Sequence, residues 1–219
     1  WTQGNPYLAT GPARVIVNEV NSGNPSQIRG WLEVAGQRAE VVIANPAGIS
    51  IDGGGFINAS RATLTTGAPQ FNAFGGLDGF RVGGGNISID GKGLDLSETD
   101  YAAIYARAVQ VNASIQANDL KVVTGSNDIG IDGAAITPMA GTGSTPAFAL
   151  DVAQLGGMYA NKIHLVGTEA GVGVRNAGNI GAGAGDLVVT AAGRLENAGT
   201  LEGRRIEIAG SGDIDNRGG

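Results

Sequence analysis

Cysteine is absent from the 219-residue chain, and charged side chains make up only 16% of it, against about 25% in ordinary globular proteins. Without cysteine there can be no disulfide bridge and no thiolate metal site. The 14 basic residues are scattered and outnumbered by 20 acidic ones, whereas nucleic-acid binding needs clustered positive charge. No apolar run approaches the roughly 18 residues of a membrane-spanning helix. We therefore expect no nucleic-acid partner and no direct membrane span.

Glycine and small apolar residues are abundant instead. The chain contains 39 glycines, and 42% of its residues are hydrophobic. That much apolar surface argues against disorder, which needs low hydrophobicity or high net charge. Glycine weakens a helix interior by about 1 kcal/mol relative to alanine, so long helices are also disfavoured. The composition predicts an all-β protein built from many short strands joined by glycine-rich turns.

The clearest periodic signal is a strict alternation over residues 109–118, where every odd position is apolar and every even position is polar. Alternation of period two is typical of a strand with one buried face. Shorter copies occur at residues 87–90 and 206–208. Between these segments lie glycine-rich turn sequences. Val111 and Ile115 are thus expected to point into a core, and Gln110 and Asn112 to point into solvent.

An internal repeat indicates how the strands are arranged. The sequence Asn-Ala-Gly begins at 176 and again at 197, and Asn-Arg-Gly follows at 216, so that the spacings are 21 and 19 residues. Three strands of about five residues, with turns of two or three, account for such a period. One repeat cannot bury a core alone, so successive copies must stack. We predict a parallel β-helix of around ten coils, with the corner asparagines in the left-handed region and laddered between coils.

Three other interpretations concern particular segments or the whole fold. Residues 31–43 read as two strands around Ala35-Gly36-Gln37, the best candidate for an antiparallel β-hairpin outside the coil. Ser97 to Arg107 is the one helix-like stretch. Leucine-rich and other solenoids would need leucine at fixed offsets, which the chain lacks. A β-sandwich is compatible with the alternation but is not favoured by the short and regular repeat.

Several motifs, in order along the chain, carry a family resemblance. They are Asn5-Pro6-Tyr7-Leu8, Asn45-Pro46-Ala47-Gly48-Ile49, and the segments 155–160 and 166–174. Together they resemble the TPS, or haemagglutination activity, domain of two-partner secretion exoproteins such as filamentous haemagglutinin and contact-dependent growth inhibition exoproteins. The resemblance implies a right-handed helix. It places a secretion domain at 1–175, with the family's N-terminal cap missing, and the first filamentous glycine-rich repeats at 176–219.

The resemblance also implies a function. A domain of this kind is captured in an extended state by an outer-membrane β-barrel transporter with POTRA domains, crosses the periplasm, and folds outside the cell. We expect a secreted, cell-surface location, a monomer, and neither metal nor cofactor. The candidate recognition residues are those of the two Asn-Pro motifs: Asn5, Pro6, Leu8, Asn45, Pro46, Gly48 and Ile49. Tyr7 and Ala47 depart from the family pattern, since each replaces an asparagine.

Two alternatives come from other functional classes. The chain could itself be an adhesin module that binds a receptor, for which an exposed aromatic patch would be needed. It could also be a polysaccharide-degrading enzyme, since parallel β-helices include such enzymes. The paired acids, Asp90 with Asp95 and Asp213 with Asp215, lie in turn sequences without a clustered base or calcium-binding company. His164 is the only histidine and is expected to be solvated or to contact a neighbouring coil. We predict that the chain is not an enzyme.

Overall fold

The computed structural model describes residues 11–219, which form strands and turns without a helix. Accordingly, this part of the chain contains no helix that could cross a membrane. Most of the strands belong to three parallel ladders, called faces A, B and C. Face A contains β1 (Val15–Glu19), β4 (Ala39–Ala44), β6 (Ala59–Thr65), β10 (Tyr101–Ala106), β13 (Asp119–Thr124), β18 (Lys162–Gly167), and the later parts of β20 (Asn179–Ala191) and β22 (Thr200–Gly210).

The other two faces follow in turn along each coil. Face B contains β2 (Ser26–Ile28), the first parts of β5 (Ile49–Ile57) and β9 (Asn86–Leu96), β11 (Ala108–Val111), β16 (Phe148–Val152), β19 (Gly173–Asn176), β21 (Leu195–Asn197) and β23 (Ile214–Asn216). Face C contains β3 (Trp31–Glu33), the later parts of β5 and β9, β12 (Ser114–Ala117), β17 (Gly157–Tyr159), and the first parts of β20 and β22. The predicted right-handed parallel β-helix is confirmed.

Face A has eight levels within the described residues, numbered here from β1, rather than the predicted ten or so. The difference arises from two long coils. Ala102 pairs with Leu120 across one short coil. In the coils that pair Arg61 with Tyr101 and Leu120 with Ile163, the chain between the paired residues is more than twice as long. Each long coil leaves the helix after face A and returns to face B.

The two excursions meet and form one antiparallel sheet on the flank of the helix. It contains β7 (Ala68–Phe71), β8 (Leu77–Val82), β14 (Asn127–Gly130) and β15 (Ile136–Pro138), in the order β15-β14-β8-β7. We call it the flanking sheet. An antiparallel element outside the coil is therefore confirmed, but its predicted location at residues 31–43 is wrong. Strands β3 and β4 lie on different faces, because each finds a parallel partner in the next coil.

The helix interior is filled by the side chains that alternation predicts. Val109, Val111 and Ile115 are buried, whereas Gln110 and Asn112 are exposed. In register, Val111 lies between Ile89 and Val152, which are also buried. Each level thus stacks an aliphatic side chain on its equivalent in the next coil, and the repeating column forms one continuous core.

Face A is buried on both sides where the flanking sheet covers it. Its outward residues Val42, Ala103, Tyr105 and Val123 form a second hydrophobic cluster with residues of the flanking sheet, namely Phe80, Val82 and Ile129. A strand buried on both faces reads as a continuous apolar run. This explains why the helix-like interpretation of residues 97–107 is wrong: positions 101–106 form β10, whose two sides both face apolar surroundings.

The repeated asparagines form the predicted ladder on face B. The Nδ2 atom of Asn176 donates to Oδ1 of Asn197 at 2.8 Å, and Nδ2 of Asn197 donates to Oδ1 of Asn216 at 2.7 Å. Their predicted left-handed backbone is wrong, because the only described non-glycine residue with positive φ is Asn58. These asparagines end extended strands instead, and their side chains turn inward toward one another.

Candidate functional site

The Asn-Pro-Ala-Gly segment forms the corner between β4 on face A and β5 on face B. The Gly48 amide donates to the Asn45 carbonyl at 3.0 Å, which closes a four-residue turn, and the Ala47 amide donates to Asn45 Oδ1 at 2.9 Å. Gly48 has φ of +119°, and a Cβ there would lie 3.0 Å from the Asn86 carbonyl oxygen. The residue types thus match the predicted turn, and the last position requires glycine.

Asn45 fastens three successive coils together. Its Nδ2 group donates to the Asn24 carbonyl at 3.0 Å and to Ser26 Oγ at 2.8 Å, both in the preceding coil. Its backbone amide donates to the Thr65 carbonyl at 2.9 Å in the following coil. Asn45 has no exposed surface, and its side chain is fully engaged within the protein. In the folded domain, another protein cannot contact this side chain.

The remaining candidate residues occupy different environments. Pro46 is exposed on the corner, whereas Ile49 is buried in the core and aligned with Ile87 of the next coil. Asn5, Pro6 and Leu8 lie outside the described residues, so their predicted role stays a prediction. Sequence reasoning missed Ser26 and Asn24. Nothing in the local pattern marks them, because they meet Asn45 only through the stacking of one coil on the next.

The acidic pairs do not converge on a common point. Asp90 accepts a hydrogen bond from Asn112 Nδ2 at 2.7 Å, while Asp95, on the next face, accepts one from Ser97 Oγ at 2.6 Å. Asp215 contacts Arg217 and Arg194, and its hydrogen bond to Arg217 holds the pKa of its carboxyl below the ordinary value. Residues 11–219 contain no cluster of histidine and acidic residues able to hold a metal ion.

His164 lies on the outward side of β18, half-buried, in register with Lys121 and Val188 of neighbouring coils. Burial, together with the charges of Lys121 and Lys162, lowers the pKa of His164.

As the pH falls below about 6.5, the unfolded chain therefore takes up a proton before the folded one, and stability decreases. Urea unfolding at pH 5 and pH 7 should show this loss, and His164→Gln should remove the part due to histidine. An unchanged pH dependence in the variant would contradict the assignment.

Residues 11–219 define a β-helical domain with a flanking antiparallel sheet and a buried asparagine corner. A family model described as the TPS secretion domain matches residues 3–197. The crystal structure of the filamentous hemagglutinin secretion domain is similar, with a TM-score of 0.79 and 31% identity, covering 96% of this chain and 77% of that chain. The chain belongs to the TPS secretion domain family, whose exoproteins are secreted and surface-associated.

Curated relatives are more similar in sequence. The chain is 54% identical over 217 residues to "Toxin CdiA" of Yersinia pestis, covering 98% of this chain and 7% of the relative. It is 55% identical over 193 residues to "tRNA nuclease CdiA-2" of Burkholderia pseudomallei, covering 88% of this chain and 6% of the relative. The chain thus spans about one-fifteenth of the length of these proteins.

Proposed function

We propose that an outer-membrane β-barrel transporter recognises this chain through POTRA domains while the chain is extended. The chain then templates β-helix folding outside the cell. The observation that carries the proposal is the burial of Asn45. Because its side chain has no exposed surface in the folded domain, a partner could contact it only before folding. Otherwise the residue acts by stabilising the fold. An extended chain of alternating strands can add its backbone to the edge of a partner's sheet.

The three contacts of Asn45 favour a folding role for this corner. Its side chain ties the corner to residues 24 and 26, and its backbone ties it to residue 65, so the second coil is fixed on both sides. A template needs a first set of coils in the correct register, since one misplaced residue would turn every side chain to the wrong side. We infer that the Asn45 corner sets this register.

Replacement of Asn45 by alanine tests the proposal. In the full-length exoprotein, Asn45→Ala should reduce export, and the purified domain should lose about 1–3 kcal/mol of unfolding free energy, because the Ser26 and Asn24 groups lose a buried partner. Asn86→Ala is the matched control, because Asn86 lies at the corresponding corner of the next coil but is exposed. Its side-chain amide makes one long contact, 3.5 Å from Nδ2 to Gln110 Oε1. Normal export and normal stability of Asn45→Ala would contradict a role for this corner.

A peptide separates recognition from folding. Residues 39–57 contain the three strands of a single coil without the coils that stack on it, so the isolated peptide cannot bury a core. If Asn45 acts through the fold, peptides with asparagine or alanine at position 45 should bind the transporter's POTRA domains equally. If the alanine peptide binds more weakly, Asn45 is read directly in the extended chain.

We also infer that the longer protein is a toxin of the contact-dependent growth inhibition type. The support is the identity of about half of all positions to relatives named as CdiA toxins and nucleases. The activity in those names is not assigned to this chain, whose equivalent covers 6–7% of them and belongs to a secretion domain. A growth competition between strains with and without the full-length gene tests this inference. An equal outcome in cells that export the protein would contradict it.

A further inference from the structure

A buried ion pair joins two coils that are separated by a third. Arg107, at the corner after β10, donates from Nε to Glu169 Oε2 at 3.0 Å and from Nη2 to Oε1 at 2.7 Å. Their side chains are only 7% and 16% exposed. The hydrogen bond to Glu169 raises the pKa of Arg107 further, so the guanidinium remains charged at every relevant pH. Glu169 follows β18, two levels beyond β10.

The two excursions meet on top of this pair. The segment 139–147, which follows the flanking sheet, crosses the Arg107 guanidinium, and Nη1 donates to the Thr142 carbonyl. A Cβ at Gly141 would lie 2.6 Å from the guanidinium carbon, so the segment lies directly against Arg107 and a larger residue there would have to displace the guanidinium. Arg107 is therefore covered by a segment that is later in sequence and is held in place elsewhere.

The anchor of that segment is the carbonyl of Gly83, at the end of the first excursion. It accepts hydrogen bonds from the Thr142 amide at 2.8 Å, Thr142 Oγ1 at 3.0 Å and Ser126 Oγ at 3.2 Å. One junction thus joins four parts of the fold: the two excursions, the corner at level 4 and the corner at level 6. Without Glu169, the junction would contain a buried positive charge with the Thr142 carbonyl as its one described acceptor, which is strongly unfavourable.

We propose that Arg107 and Glu169 form a completion lock. Only the pairing of Glu169 with Arg107 makes one stable unit of the flanking sheet, segment 139–147 and the coils of levels 4 to 6. The timing of this step during export rests on the proposed function, whereas the lock itself is a property of the folded domain. Until six levels are present, the backbone amides in the first part of the domain would therefore still exchange readily with solvent.

Variants of the complete chain test the lock. Glu169→Gln and Arg107→Met should each lower the urea midpoint by about 1–2 M, because one removes the buried counter-charge and the other leaves a buried carboxylate unpaired. The double variant R107M/E169M should recover most of this shift, since apolar side chains replace both charges. Glu196→Gln is the matched control, because Glu196 pairs with Arg194 on the surface, and its midpoint should barely move.

Hydrogen exchange distinguishes a lock from a general loss of stability. Glu169→Gln should increase amide exchange together in three segments that are distant in sequence, around residues 79–85, 126–130 and 139–147, while residues 186–210 keep their protection. Exchange equal to that of Glu196→Gln would overturn the proposal, and so would a uniform increase along the chain. This measurement uses no transporter, so it can succeed even if the proposed export function fails.

Discussion

Val111→Asp should lower the unfolding free energy by about 3–5 kcal/mol and should leave much of the protein unfolded at moderate urea concentration. The side chain at position 111 has no exposed surface and is stacked between Ile89 and Val152 in the column of the core. A carboxylate there has no partner in either neighbouring coil. Ile115→Asp should behave similarly, since Ile115 lies between Leu94 and Met158. Urea denaturation followed by circular dichroism measures the loss.

Two substitutions on the outward side of the same segment complete the series. Gln110→Asp should change stability by less than about 0.5 kcal/mol, because the position is exposed and the adjacent Asp151 is already paired with Arg175. Alternation alone predicts that Asn112→Asp is equally mild. Asn112 Nδ2, however, donates to Asp90 at 2.7 Å, so a second carboxylate there should cost about 1 kcal/mol. Equal losses at positions 110 and 111 would show that the inward side is wrongly assigned.

Gly178→Ala should lower the free energy of unfolding by about 1–3 kcal/mol, because the backbones of two coils would have to move apart. A Cβ at position 178 would collide with the Gly156 carbonyl and lie 2.5 Å from the Ala153 carbonyl. The same close approach recurs at the equivalent glycines 199 and 218, each of which faces the glycine of the preceding coil. The repeated glycine is therefore needed because the backbones of neighbouring coils lie too close together to admit a Cβ. Thermal unfolding with an intact-mass check measures the effect.

Gly181→Ala is the matched control for this prediction. Gly181 lies three residues later, and a Cβ there would meet only Tyr159, at an ordinary contact distance of 3.5 Å. Its φ is not positive, so alanine fits the backbone and should leave stability unchanged or raise it by up to about 1 kcal/mol. A loss as large as that of Gly178→Ala would mean that general strand entropy, and not the close approach, explains the repeated glycine.

The sequence predicts the parts of this fold where each strand has one buried side. Residues 109–117 alternate strictly, and the alternation identifies every inward position among them. Face A is harder to interpret because the flanking sheet buries its outer side as well, so β10 shows no alternation and resembles a helix. The location of the flanking sheet is not predictable in the same way. Its strands come from two excursions that are far apart in the sequence, and no local pattern links them.

The candidate site shows the same division. The turn at Asn45 follows from residue types, because asparagine, proline and glycine each suit one position of the turn. Its burial and its bonds to Asn24 and Ser26 depend on the stacking register of the first two coils. The Arg107–Glu169 pair is similar, since its two partners come from coils that are not adjacent. Such contacts can be found only when the number of residues in each coil is known.

The asparagine ladder gives the rod a chemical direction. Each amide donates its Nδ2 hydrogen to the Oδ1 atom of the next level, so the side-chain dipoles point the same way from Asn176 through Asn197 to Asn216. Dipoles aligned in a chain polarise one another, and each added link strengthens those before it. A coil added with a one-residue slip in one direction would bring Ala198 or Arg217 to the place of the amide acceptor, and neither side chain can accept the hydrogen bond. A slip in the other direction would bring Glu196 or Asp215, whose carboxylates can accept the bond but cannot donate to the next level. The ladder therefore acts as a register check, because, of these side chains, only that of asparagine both accepts from the level before it and donates to the level after it.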